Sequence, residues 1–181
     1  MQVVGQASSE VLVVSPYFVP GRQGAANLIE SAQRGVRVAV LTNSLAANDE
    51  PLVHTGYARY RVDLLRSGVD LYELSPTRVL LNKRLGLAIP GASLGRLHAK
   101  TAVIDRSVVF IGSMNLDPRS ATRNTELGVI VESPEIAREV LRIIHISKLQ
   151  SAYRLQFGAD GYSLEWLTMD EDNEVILTAE P

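Results

Sequence analysis

The sequence contains no cysteine, which excludes disulfides, thiol nucleophiles and cysteine-ligated metal sites and leaves the redox compartment open. It has no apolar run near the roughly 20 residues that a membrane-spanning helix needs. No basic stretch followed by an apolar core stands near Met1, so no signal peptide is read. Neither sign of charge dominates: 18 Lys and Arg against 20 Asp and Glu leave a net charge of -2, which argues against a dedicated nucleic-acid binder. Histidine, aspartate and glutamate nowhere cluster at ligand spacing, so no metal and no other cofactor is expected. Internal repeats and low-complexity segments are absent as well. What remains is an ordinary globular composition, 46% hydrophobic and 21% charged over 181 residues, enough for one domain with a real core. Met1 to Gln6 reads as a cut into a longer chain.

The hydrophobic patterning indicates an α/β protein. Val11–Val14 and Val36–Leu41 are short continuous apolar runs of the kind found in buried parallel strands. Between them, Gln23–Arg34 carries a partial helical stripe that Gly35 stops. This is a βαβ unit, which implies a right-handed crossover. Thr42–Val53 reads as a polar loop, Tyr57–Arg66 as a helix ended by Ser67-Gly68, and Val69–Leu74 as a third strand. The expected fold is a mixed, largely parallel β-sheet flanked by helices. Residues 78–96 are irregular and basic, with Arg78, Lys83, Arg84 and Arg96 and no acid. They read either as a solvated loop or as a basic, apolar rim suited to an anionic lipid surface. Thr125–Val131 reads as another strand, Ser133-Pro134-Glu135 as a helix start reaching to about Leu149, and Tyr162–Leu167 with Val175–Leu177 as a late hairpin. Residues 158–181 form an acidic extension of the same single domain, 1–181.

The chemistry concentrates in residues 98–115. His98 and Lys100 sit two apart, so an extended backbone presents an imidazole and an ammonium on one face. Two apolar runs, Thr101–Ile104 and Val108–Ile111, are joined at Asp105 and end in Gly112, Ser113 and Asn115. A cation, an imidazole, a hydroxyl and an amide gathered at strand ends suit an anionic, oxygen-rich group such as a phosphoryl.

The spacing His-x-Lys, four residues, Asp, six residues, Gly-Ser-x-Asn resembles the HKD motif of the phospholipase D superfamily. The stretches at 13–20, 41–47, 56–60, 112–120 and Asn124-Thr125-Glu126 resemble its bacterial cardiolipin synthase branch, and the likeness covers nearly the whole chain. Such proteins carry two motifs in two fused copies; this sequence carries one, matching their C-terminal half.

The resemblance implies a phospholipase D-like domain and a metal-independent phosphatidyltransferase or phosphodiesterase working through a phosphohistidine. It implies a catalytic set of His98, Lys100, Asp105 and Glu126 and a phosphate-binding set of Lys100, Ser113 and Asn115. His98 would be the general acid, or take either role in a symmetric dimer. Glu126 would bond the far ring nitrogen of His98, and Asp105 would support the strand ends. The implied partners are an anionic, phosphatidylglycerol-like phospholipid, a peripheral membrane surface on the cytoplasmic side of the bacterial inner membrane, and a second copy or a missing N-terminal half. Two alternatives stay open: a homodimeric phosphodiesterase or nuclease, and a catalytically silent fragment of a two-motif enzyme. His54 reads as structural or solvent-facing, His145 as an ordinary helix residue, and Tyr17 and Phe18 as wall or core. Arg119 and Arg123 read either as solvated or as contacts to a head-group phosphate.

Overall fold

The valine-rich runs become the centre of the sheet. In the computed structural model, which describes residues 2–84, 92–93, 95–170 and 173–181, the elements follow in chain order. They are α1 (Gln2–Gly5), β1 (Glu10–Val14), α2 (Gly21–Gln33), β2 (Arg37–Asn43), α3 (Pro51–Ala58), α4 (Arg61–Arg66), β3 (Asp70–Leu74) and α5 (Pro76–Arg84). Next come β4 (Ala92–Ser93), β5 (Arg96–Leu97), β6 (Thr101–Ile104), β7 (Val108–Gly112), α6 (Pro118–Thr122) and β8 (Gly128–Glu132). The chain closes with α7 (Pro134–Ser151), β9 (Ala152–Phe157), β10 (Leu164–Asp170) and β11 (Asn173–Leu177).

Nine strands form one sheet in the order β11-β10-β9-β3-β2-β1-β6-β7-β8. β1, β2 and β3 are parallel, as the βαβ reading requires, and antiparallel wings extend from both sides of that core. The sheet is mixed and flanked by helices, as expected, but it is parallel only at its core: six of its eight strand pairings are antiparallel, because hairpin-type returns supply both wings. Both faces of β1 are buried because its side chains alternate between two core layers. Val11 and Val13 pack with Leu28 of α2 and Leu64 of α4, whereas Leu12 and Val14 pack with Ala137 and Ile144 of α7.

Local signals explain most element ends. Gly35 adopts φ +87° and its N–H bonds to Ala32 O, the left-handed stop that a side chain would strain. Ser133 caps α7 by accepting from Ile136 N, with Pro134 in the first turn. Three expectations shift. The loop proposed for 42–53 yields to α3, which starts at Pro51, and the proposed helix over 57–66 breaks at Arg59-Tyr60 into α3 and α4. Pro51 supplies the helix start, and Gly56 keeps α3 close to Val19, whose Cγ1 would stand 3.3 Å from an added Cβ. Strand β9 was not expected. It follows α7 without a turn, and Ala152, Tyr153 and Leu155 are buried where it pairs with β3. Within 78–96, Arg78 lies on α5 and Arg96 on β5; the side chains of Lys83 and Arg84, and residues 85–91 and 94, lie outside the described residues. Among the described residues no helix is long and apolar enough to cross a membrane.

A buried ionic cluster ties the helical connection between β2 and β3 to the far wing. Glu73 of β3 is 0% exposed and accepts from Arg61 Nε at 2.9 Å and from Trp166 Nε1 of β10 at 2.8 Å. The Arg61 guanidinium also bonds His54 and Glu180 and lies over the rings of Tyr57 and Trp166. Burial alone would lower the pKa of Arg61, but the facing Glu73 carboxylate outweighs it and holds the group above its ordinary range. His54 is therefore a member of the core, one of the two readings its sequence position allowed. Arg61→Met leaves Glu73 buried without its cation and should cost about 3–5 kcal/mol of unfolding free energy in urea. A loss below about 1 kcal/mol, the range of an exposed pair, would refute the cluster's importance.

Asp105 organises the opposite end of the sheet. It sits at φ +49° in the β6–β7 turn, a conformation Asp tolerates better than most residues. Its carboxylate accepts from the backbone N–H groups of Ser8, Ser9 and Glu10 and from both serine hydroxyls, at 2.7–3.2 Å. Burial pushes its pKa up, but these donors outweigh it and hold the carboxyl well below the ordinary carboxylate range. Its stabilising effect is thus complete above the unfolded value of about 3.9 and is lost as pH falls below that toward the depressed folded value. Asp105→Ala should cost roughly 2–3 kcal/mol at pH 7 and flatten the acid limb of the stability profile. An unchanged acid limb would show that Asp105 is not held this way.

Candidate active site

Strand direction gathers the functional groups at one edge of the sheet. β1 and β2 end there, at Val14 and Asn43. β6 runs antiparallel to β1 with Thr101 opposite Val14, so His98 and Lys100, which precede β6, arrive at the same edge. β7 returns antiparallel and ends at Gly112, opposite Gly128, where β8 begins just after Glu126. Asn115, Ser113 and Glu126 are thereby brought near the same edge. Asp105 is not. It stands at the other end of β6, five extended residues or about 16 Å from Lys100. Its grouping with the catalytic residues is corrected by that position: it anchors the strand ends and does not reach the site.

His98, Lys100 and Asn115 line a cavity of about 450 Å³, together with Pro16, Tyr17, Asn43, Asp49, Arg96 and Leu97. Each is held by its neighbours. Asn43 is buried; its Oδ1 accepts from Leu97 N at 2.9 Å, which pins the residue before His98. Lys100 Nζ donates to His98 O at 2.9 Å. Burial lowers the Lys100 pKa and the Glu126 charge opposes that, so part of its hydration is already removed. Leu116, beside Asn115, donates its N–H to Ser15 Oγ at 3.0 Å, and its carbonyl accepts from Val19 N at 2.7 Å. Asn115 Oδ1 is buried and has no hydrogen-bond partner. A buried polar atom without a partner is costly, and as an acceptor this oxygen could be satisfied only by a donor such as a hydroxyl or a water.

Ser113 and Glu126 form a separate pair at the β7–β8 junction. Ser113 Oγ donates to Glu126 Oε2 and accepts from Leu127 N at 3.0 Å; Asn124 Nδ2 donates to Glu126 Oε1 at 3.1 Å. The Ser113 bond comes first, and then Asn124, in holding the Glu126 carboxyl below its usual range. Glu126 is thus bonded to Ser113 and Asn124 and makes no bond to the His98 ring. Gly112 is required here by space: an added Cβ would stand 2.7 Å from Leu127 O and 2.9 Å from the Phe110 ring. Arg119 and Arg123 lie around a separate depression beyond α6. Among the described residues no three His, Asp or Glu side chains come together as metal ligands.

The motif at 98–115 was readable from spacing. Asn43 and Asp49 were not assigned to the site, Tyr17 was read only as wall or core and Arg96 only as solvated or part of a basic rim, and no local pattern joins the four. Only the end-of-strand positions of Pro16 and Asn43 hint at it, since ligands of α/β sheets gather where parallel strands end.

Residues 1–146 match the protein family described as "Cardiolipin synthase, PLD-like domain". The chain belongs to the phospholipase D-like family. It is 44% identical over 179 residues to cardiolipin synthase C of Escherichia coli, covering 99% of this chain and 38% of that protein. A phospholipase D-like domain of this kind thus spans well under half of that relative. In three dimensions it resembles Nuc, a phospholipase D family member from Salmonella typhimurium, with a TM-score of 0.62 at 17% identity over 83% of this chain and 84% of that one. It also resembles phosphatidylserine synthase of Haemophilus influenzae, with a TM-score of 0.61 at 14% identity over 84% and 35%. At those identities the two structures show a shared fold.

Ser113→Ala removes the donor to Glu126 in this phospholipase D-like domain, so the Glu126 pKa should rise toward the ordinary glutamate value. A carboxyl-detected NMR titration reads this, and an unmoved titration would mean that Ser113 does not hold the carboxylate.

Proposed function

We propose that the chain is one half of a phosphatidyltransferase acting on anionic phospholipid at a membrane surface. The supporting observation is the single cavity in which strand direction unites an imidazole, an ammonium and an asparagine amide. The 44% identity to a cardiolipin synthase supports the lipid substrate.

In this reading a second histidine attacks phosphorus, forming a P–N bond while the P–O bond to the leaving alcohol breaks. His98 gives that oxygen its proton. In the second step an acceptor alcohol forms a new P–O bond. The P–N electron pair returns to the nucleophile's ring, and His98 takes the acceptor's proton. Lys100 and Asn115 offer fixed positive charge and an N–H donor to the nonbridging oxygens as negative charge builds. Ser113 and Glu126 act from behind, as a positioning pair for the β7–β8 end of the site.

The second imidazole must come from elsewhere. His54 is committed to the buried Arg61 cluster, and His145 lies at the opposite end of the sheet, in the groove with Glu10, Arg37 and Asp70. A second copy of this chain or a further domain would supply it. In this reading the domain works peripherally at the cytoplasmic side of the inner membrane.

The test is cardiolipin formation from phosphatidylglycerol vesicles with chelator present, alongside light scattering for oligomeric state. His98→Ala should cut turnover by about 10²–10⁴-fold with an unchanged circular dichroism spectrum. Turnover that survives this substitution would remove His98 from the chemistry. Cleavage of single-stranded DNA with no lipid product would replace the transferase with a nuclease.

A further inference from the structure

The cavity has a second wall that the chemistry at phosphorus leaves unused. Tyr17 Oη donates to Asp49 Oδ1 at 2.6 Å, and Arg96 Nη1 lies 3.7 Å from Asp49 Oδ2. All three line the same 450 Å³ space as His98, Lys100 and Asn115. The loop that carries Asp49 is built rather than loose: Ala47 N bonds Ser44 Oγ, Asn48 N bonds Leu45 O, and Glu50 N bonds Asn48 Oδ1.

We infer that Tyr17, Asp49 and Arg96 are specificity-determining residues that bind the neighbouring hydroxyls of a glycerol head group on the alcohol side of the reaction. The inference rests on the transferase reading and deepens it. In that reading His98 handles the proton of both the leaving and the accepting alcohol, so the space it shares with this wall is where the alcohol lies.

The chemistry of the wall favours hydroxyls over its rivals. The bond from Tyr17 lowers the Asp49 pKa, so a carboxylate faces the cavity at neutral pH. Burial, then the same bond, raises the Tyr17 phenol to about 12, so it remains a neutral donor to Asp49 with its own lone pairs free. Carboxylate and phenol oxygen are thus both acceptors. A phosphate has only acceptors of its own and is repelled. An ammonium would suit a bare carboxylate, but Arg96 already offsets that charge. A diol meets both demands: one hydroxyl donates to Asp49, and its neighbour's oxygen accepts from Arg96. Lys100 and Asn115 take the phosphate and the wall takes the polyol.

The test is an NMR titration of the full chain with three water-soluble probes: glycerophosphoglycerol, glycerophosphoethanolamine and dimethyl phosphate. Wild-type protein should bind glycerophosphoglycerol more tightly than glycerophosphoethanolamine. Asp49→Asn should weaken glycerophosphoglycerol about tenfold, the loss of roughly one charge-assisted hydrogen bond, while dimethyl phosphate binds equally or more tightly. Tyr17→Phe, which leaves the charge unchanged, should weaken glycerophosphoglycerol alone. Tighter binding of both glycerophosphoglycerol and dimethyl phosphate by Asp49→Asn would reveal a bare electrostatic effect and overturn the inference, as would unchanged affinities or a preference for glycerophosphoethanolamine. Because binding is read without turnover, a chain that shows this pattern and self-associates in light scattering, yet forms no lipid product, would count against the transferase reading and not against the wall.

Discussion

The antiparallel pairing of β6 against β1 is the constraint on which the rest depends. The parallel core alone would leave a conventional cleft where β1 and β2 end. Turning β6 the other way delivers His98 and Lys100 to that cleft from the start of a strand instead of its end. The β7 return then brings Asn115 to the same edge. The register is pinned at its far end by one carboxylate, Asp105, whose donors lie just before and at the start of β1. The cavity-lining His98 and Lys100 and a strand clamp therefore share one stretch of sequence because they are the two ends of the same strand.

The two sides of the cavity differ in how they are held. His98 and Lys100 are fixed by backbone: Leu97 is clasped by a buried asparagine, and Lys100 folds onto its own neighbour's carbonyl. The facing side is fixed by side chains on a loop, through the Tyr17–Asp49 bond and its arginine. Loops accept substitution more readily than strand cores, so the facing side is the one more open to change.

The fold was legible wherever neighbours in sequence determine the outcome. The apolar runs at 11–14 and 36–41, the glycine at 35 and the Ser133-Pro134 helix start each carry their own cause. The motif was legible for the same reason, since its members are carried by one strand–turn–strand unit. The misses share the opposite origin. Strand β9 had no turn before it, and only pairing with β3 makes it a strand. The Glu126 carboxylate was assigned to the His98 ring, whereas the β7–β8 register hands it to Ser113. The role of His54 depends on Arg61 and Glu180, the latter 126 residues away, and no local pattern encodes that. Asp49 was invisible as a wall residue because its partners, Tyr17 and Arg96, come from two other segments.

The sheet order also governs how the chain reaches this state. After completing β8 at one edge, the chain uses α7 to cross beneath the sheet and lay β9 beside β3 on the far side. The bonds that close the structure are consequently remote in sequence: Ser8 to Asp105 spans 97 residues and Glu73 to Trp166 spans 93. Loop closures of that length must be achieved before they are rewarded, which is the regime of slow, topology-limited folding. Helices α2 and α7 have the local signals to form early, yet the cavity at the sheet edge takes shape only when strands from both halves of the chain have found one another.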